Sequence, residues 1–305
     1  MIELFSIPFM LQAFVAGVLL AGILAYFGVH VVLRGIVFVD LALAQISSLG
    51  VVLGLLIGFE PVITSIVFTF LGATLFAVVR IDDDRIPHEA FIGIMYAVAS
   101  AAAILIVAKS PTGEASALKF LFGNILAVTP SQLGQMAVAF GLIGLFHGIF
   151  RERFFLISFH HERPKDAGFS VPLWNFLFYL SLGFVIAFAI RTGGVLLVFS
   201  YLIVPPVAAM LLARRISRVL VIAWIFGVGT SFFGLYFSFR LNLPTGATII
   251  CTFGLLLLLA GIGRFFRAKY VTTPPPAEPV FAPEAGGDRP AGRVKDAPHL
   301  MDDGS

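Results

Sequence analysis

Runs of about twenty mostly apolar residues, separated by short polar breaks, recur along this chain, and nothing else in it limits the fold as tightly. That length is what an α-helix needs to cross the hydrocarbon core of a bilayer. By the length criterion there are nine such segments, at 9–33, 37–58, 61–80, 89–109, 131–150, 173–191, 193–213, 217–239 and 245–266. The breaks carry helix-ending chemistry: Gly58 to Pro61, the acidic stretch Asp82 to Asp84 before Pro87, Pro111 to Gly113, and Pro130. With 59% apolar and only 12% charged side chains, the chain could not hide its apolar surface in a water-soluble fold, where about a quarter of residues are charged. The expected fold is an all-α integral membrane protein of about nine transmembrane helices, with residues 1–269 forming one polytopic domain.

The formal net charge is +3, which by itself could suggest a nucleic-acid partner. The basic residues fall instead at the ends of apolar runs, so no nucleic acid is expected. Arg34, the Arg80/Arg85 turn, the Arg151 to Lys165 stretch, Arg214/Arg215/Arg218 and Arg264/Arg267/Lys269 all lie on one side under the nine-segment count. Only Lys109, Lys119, Arg191 and Arg240 fall on the other. Lys and Arg gather on the cytoplasmic side of membrane proteins, which puts the N-terminus outside and the C-terminus in the cytoplasm of a cell-membrane protein. An even number of spans would break this segregation. Residues 270–305 are rich in Pro, Gly, Ala and charge, and this composition predicts a disordered cytoplasmic tail.

Catalytic motifs are missing. The dipeptide Gly-Lys does not occur, which excludes a GxxxxGK[ST] phosphate loop, and neither GxSxG nor HExxH is present. If ATP drives this protein, another chain hydrolyses it. The lone Cys251 allows no intrachain disulfide. Glycines within the runs, among them Gly17, Gly22, Gly28, Gly50, Gly54, Gly72, Gly93, Gly141 and Gly227, read as helix-packing positions.

Asp40 is the ionisable residue set most firmly inside an apolar run. One reading pairs it with Arg34 near the interface or has it cap a helix; the other has it face a watery path. Helical spacing stacks Ser47 on the face of Asp40 and puts Gln45 and Ser48 together on an adjoining face, so the four form a candidate pathway lining. His30 and His147 read as hydrogen-bonded packing, and His160-His161 as part of a polar loop. Pro205-Pro206 frees backbone carbonyls at membrane depth, where protein or water must satisfy them. The segment from Arg151 to Pro172 reads as a short polar, amphipathic element, either a solvated connector or a docking surface for a soluble partner.

Several stretches in order resemble the metal-type ABC transporter permease family, which imports zinc, manganese or iron, alone or as chelates. Phe9-Met10 through Val31-Val32-Leu33-Arg34 resembles the family's opening span ending "VVLRR", and Glu89-Ala90-Phe91-Ile92-Gly93-Ile94 is similar to "DTAIGI". Leu121 through Pro130 is similar to "LFGSILAVSP". Arg191 to Val198 with Leu202 to Pro206 resembles "VGVLLV…LVLPAA", and Leu243 to Ile249 resembles "PSGPTI". The blocks cover nearly everything from residue 9 to residue 266. The resemblance implies a homodimer, two cytoplasmic ABC ATPase subunits that carry the ATP, an extracytoplasmic metal-binding protein, and a divalent metal as transported substrate with no covalently bound cofactor. It also implies that Phe159 to Phe169 is the segment seated on the ATPase, with Phe159, Glu162, Asp166 and Gly168 as coupling residues.

The chain departs from the family in its second span. Against the family's "GDALSHA", ungapped alignment puts Leu41 at the Asp position and Gln45 at the His position, with Asp40 one residue early. Neither ligand carries over. Two readings from other classes stand beside the importer: an ion-coupled secondary transporter, which calls for inverted repeats and coupling carboxylates, and a non-transporting membrane scaffold.

Overall fold

The computed structural model describes residues 6–79, 87–108, 124–159 and 169–270. The secondary structure of these residues is helical throughout. The helices are α1 (Pro8–Arg34), α2 (Val39–Ile57), α3 (Pro61–Val78), α4 (His88–Val107), α5 (Pro130–Ile149), α6 (Arg151–Phe159), α7 (Val171–Gly193), α8 (Val195–Leu212), α9 (Ile216–Leu241) and α10 (Thr245–Tyr270), with a short 3-10 turn at Ile125–Ala127 before α5. Nine of them, all except α6, are long and apolar enough to cross a membrane. The predicted spans and these helices agree to within a few residues, because Pro and Gly set the ends. Pro8, Pro61 and Pro130 each open a helix, where their missing N–H costs nothing. At α5, Thr129 and Gln132 close a capping box. Gly35 ends α1 in the left-handed conformation (φ 65°) and donates to the carbonyls of Val31 and Val32. Asn242 (φ 52°) ends α9 in the same region.

α1, α7, α2 and α8 form the inside of the bundle, with 56–67% of each span buried, while only 17% of α4, α5 and α10 is. α1 packs against both α8 and α9, α2 against α3 and α4, α3 against α7, and α10 against α8 and α9. The core is made by Leu20, Leu24 and Phe27 of α1, Leu43 of α2, Phe178 and Leu182 of α7, and Tyr201 and Leu202 of α8.

α8 runs unbroken through Pro205 and Pro206. These prolines remove the N–H groups from which the carbonyls of Tyr201 and Leu202 would accept. Gly28 of α1 lies directly on the Leu202 carbonyl: a Cβ there would overlap that oxygen and sit 2.8 Å from Cγ of Pro206. Only glycine lets the two backbones meet so closely, and its Cα–H groups face an oxygen with no partner in its own helix. Gly50 stands in the same relation to α3, where a Cβ would come within 2.6 Å of the Thr64 carbonyl, and Gly227 likewise approaches Ala21. Gly22, Gly93 and Gly141, read from sequence as packing positions, have nothing within 4 Å of where a Cβ would be. Within the chain these three leave open space.

The packing of α1 on α8 is therefore predicted to be intolerant of any side chain at Gly28. Gly28→Leu should cost about 3 kcal/mol or more, seen as a lowered thermal midpoint and poor recovery in detergent. Gly22→Ala should match the wild type in the same assay.

Candidate functional site

The four residues proposed to line a pathway are all buried on α2. Asp40 lies in its first turn, two residues after the N-cap Phe38, and is only 2% exposed. It neither caps the helix through its own position nor pairs with Arg34, and its Oδ1 has no hydrogen-bond partner. Arg34 is turned away because α1 ends at Gly35, and its guanidinium is taken up by neutral groups of α6 and α7. Ser47 faces α3, where its hydroxyl is 2.8 Å from that of Ser65; the Ser65 carbonyl accepts from Thr69 at 2.8 Å. Gln45 and Ser48 are each 8% exposed. The structure thus joins Ser47 to the α2–α3 seam and makes no hydrogen bond between it and Asp40. Among the described residues no group of three or more His, Cys, Asp or Glu side chains is placed to hold a metal ion.

Of the coupling residues, Phe159 is the last residue of α6, partly buried and stacked on Phe155 with ring centroids 5.6 Å apart. Glu162, Asp166 and Gly168 lie outside the described residues. The segment after Arg151, read as a polar element, begins as a helix with an apolar anchor: Phe154 is fully buried against His147, at 3.9 Å between ring centroids, and against Trp174.

The polar residues the structure does gather lie around Arg34, His30 and His147, with partners that carry no sequence signal. Arg34 Nε donates to the Ser158 hydroxyl at 2.9 Å, Nη1 donates to Asn175 Oδ1 at 3.0 Å, and the guanidinium carbon sits 3.8 Å from the centre of the Phe178 ring. His30 Nδ1 is 2.8 Å from the same Ser158 hydroxyl, whose own proton goes to the Phe154 carbonyl at 2.9 Å. A serine has one proton to give, so His30 must donate from Nδ1, which leaves the lone pair of the neutral ring on Nε2. That atom is buried without a partner, as is Arg34 Nη2. His147 repeats the arrangement: Ser181 gives its proton to the Phe178 carbonyl at 3.0 Å, so His147 donates from Nε2 to Ser181 at 2.8 Å and Nδ1 faces the Tyr26 hydroxyl at 3.3 Å. The reading of both histidines as hydrogen-bonded packing agrees with this geometry. Ser158, Ser181, Asn175 and Tyr26 carry no sequence signal of their own, since each is an ordinary residue within or beside an apolar run.

Next to this cluster, α1, α5, α6 and α9 enclose a groove of about 650 Å³ whose lining includes Gly22, Tyr26, His147, Arg151 and Trp224. A second cavity, of about 540 Å³, lies between the turn at Asn124–Leu126 and the α9–α10 turn at Leu243–Pro244. It brings together two of the blocks that carried the resemblance.

Comparison with known proteins follows the same outline. The chain is 30% identical to the manganese transport system membrane protein MntC of Halalkalibacterium halodurans over 268 residues, which are 88% of this chain and 90% of that one. It is 28% identical to a probable iron transport system membrane protein of Haemophilus influenzae, over 88% of this chain and 94% of that one. Among solved structures, PsaBC from Streptococcus pneumoniae in complex with Fab shares the fold, with a TM-score of 0.74 at 24% identity over 88% of this chain and 98% of that chain. The model of the ABC 3 transport family matches residues 6–264, nearly the whole helical bundle, and the chain belongs to that family.

Proposed function

We propose that this permease subunit carries a divalent metal ion, manganese, iron or zinc, or a chelate of one, inward across the cell membrane as half of a homodimer. ATP is hydrolysed on a separate ATPase chain, and an extracytoplasmic metal-binding protein delivers the substrate. The observation that carries this reading is the family match across residues 6–264. The relatives named for manganese and iron transport support the choice of cargo. All nine long helices cross the membrane in this reading, with the N-terminus outside and the basic ends of the helices in the cytoplasm. Residues 1–269 make up the permease domain, and residues 270–305 are a cytoplasmic tail.

Asp40, Gln45, Ser47 and Ser48 line the pathway in this proposal. They offer oxygen and amide groups only, which suit a hard ion, a hydrated ion or a chelate that keeps its ligands, and which make a poor site for zinc. The buried Oδ1 of Asp40 is the best-placed of these atoms, because a carboxylate oxygen without a partner inside a membrane bundle marks a functional group more often than a structural one. The segment from Phe159 through Glu162, Asp166 and Gly168 seats on the ATPase. It begins at the last residue of α6, Phe159.

Three outcomes are expected. For topology, a cysteine placed at Glu3 should react with an impermeant reagent in intact cells and one placed in 272–305 should not; the reverse pattern would overturn the nine-span orientation. For substrate, Asp40→Asn should reduce ATP-driven manganese uptake at least several-fold in liposomes holding the full complex, while zinc titration of the isolated wild-type permease finds no submicromolar site. Full uptake by the Asn variant would make Asp40 structural. For coupling, the double variant Glu162→Lys with Gly168→Trp should lose ATPase assembly or uptake while the bundle keeps its thermal midpoint. Unaltered assembly and uptake would remove the segment from the mechanism.

A further inference from the structure

Arg34, the last residue of α1, is a half-buried cation with a covered Nη2, and no carboxylate pairs with it among the described residues. Burying a charge is costly unless hydrogen bonds and polarisable neighbours replace its water. Here the replacements come from two other helices: the Ser158 hydroxyl of α6, the Asn175 amide oxygen of α7 and the Phe178 ring face of α7, at 2.9, 3.0 and 3.8 Å. A planar guanidinium is held at fixed angles by such partners in a way that an ammonium is not. His30, one turn earlier on α1, reaches the same Ser158 hydroxyl. Every lone pair and proton of that hydroxyl is therefore used: it gives to Phe154 and receives from Arg34 and His30. Ser158 is 1% exposed and stands one residue before the end of α6, where the described chain stops at Phe159.

A second feature shows that this join is local. α6 is nine residues long, below the length at which a helix is stable alone, and among the described residues it packs chiefly on α1, α5 and α7. Phe154 anchors its middle through His147 and Trp174. Its last turn is tied to the innermost helix of the bundle by the Ser158 hydrogen bonds to Arg34 and His30, beside a ring contact of Phe155 with His30 at 4.5 Å between centroids. Displacing the end of α6 must either carry Arg34 with it or leave a half-buried guanidinium with one fewer acceptor.

We propose that Arg34 and Ser158 are positioning residues for ATP-coupled transport: their hydrogen bond makes the end of α6 and the last turn of α1 move as one body, so that displacement at the ATPase-facing segment is passed to the span whose Gly28 packs on α8. This rests on the coupling reading above. The α1 chain then turns through Gly35 into α2, whose first turn holds Asp40, so the same motion reaches the proposed pathway within six residues of Arg34.

The test uses the complete complex with its ATPase subunits in liposomes, with manganese(II) as probe and ATP hydrolysis and uptake measured on the same preparation. Ser158→Ala should leave the complex assembled and hydrolysing ATP while uptake per ATP falls by ~5-fold or more, the scale of a typical coupling between sites. Ser158→Thr, which keeps the hydroxyl, should restore it. Arg34→Lys should behave like Ser158→Ala, since an ammonium cannot reproduce the two-pronged geometry. Wild-type uptake per ATP in Ser158→Ala would overturn the proposal, as would equal losses in Ser158→Ala and Ser158→Thr. A parallel fall of ATP turnover, uptake and thermal midpoint would also overturn it, by showing a packing role only. The Glu162→Lys/Gly168→Trp variant, run alongside, separates the two readings. If it transports normally while Ser158→Ala uncouples, the coupling reading fails and the proposed route from that segment fails with it; if it fails while Ser158→Ala is normal, the join alone is overturned.

Discussion

Inside a bilayer there is no water to complete a broken hydrogen-bond ladder, and this bundle is organised around the place where its own ladder is broken. Pro205 and Pro206 strip α8 of two N–H groups, and a bare carbonyl in lipid costs several kcal/mol. The chain meets this by burying the region around Leu202 against α1, and Gly28 is the position that allows it. Tyr201 shows the same economy beside it: its hydroxyl is 2.5 Å from that of Ser231, which in turn donates to the Gly227 carbonyl on α9. α1, α8 and α9 are thereby held together at one level, and the outer helices α4, α5 and α10 pack around a centre already closed.

The same scarcity of partners explains the polar cluster at the end of α1. Serines donate to carbonyls three or four residues back in their own helices, which leaves their lone pairs to receive from Arg34, His30 and His147. Each histidine is then committed to one tautomer by its serine. Networks of this kind are strong when complete and costly when one member is removed. They tie α1 to α5, α6 and α7 through side chains, where α1 and α8 are joined by backbone contact.

The second span bears on the chemistry of the cargo. α2 carries Leu41 and Gln45 and offers no imidazole, and the Ser47 hydroxyl is 2.8 Å from that of Ser65. Both buried histidines of the described chain lie on α1 and α5 beside a guanidinium, an unfavourable setting for a dication. A cargo that keeps its own water or chelating ligands needs less from the protein, which is why the proposed α2 lining can consist of oxygen and amide groups alone.

The sequence by itself determined the helices and their limits. Twenty-residue apolar periodicity has few physical solutions in lipid, and proline and glycine mark helix ends by local sterics, so segments read as 61–80 and 245–266 became helices at Pro61–Val78 and Thr245–Tyr270. Family membership was legible too, because its blocks are contiguous stretches of chain. Tertiary structure alone decided which polar groups meet. Arg34 and Asp40 are six residues apart and of opposite charge, yet the left-handed turn at Gly35 sends them to different neighbours. Arg34 finds Ser158 across 124 residues of sequence and Asn175 across 141. No local pattern predicts such pairings, because they follow from which helix faces which, and that is settled by the close fit of glycines and large side chains across the whole bundle.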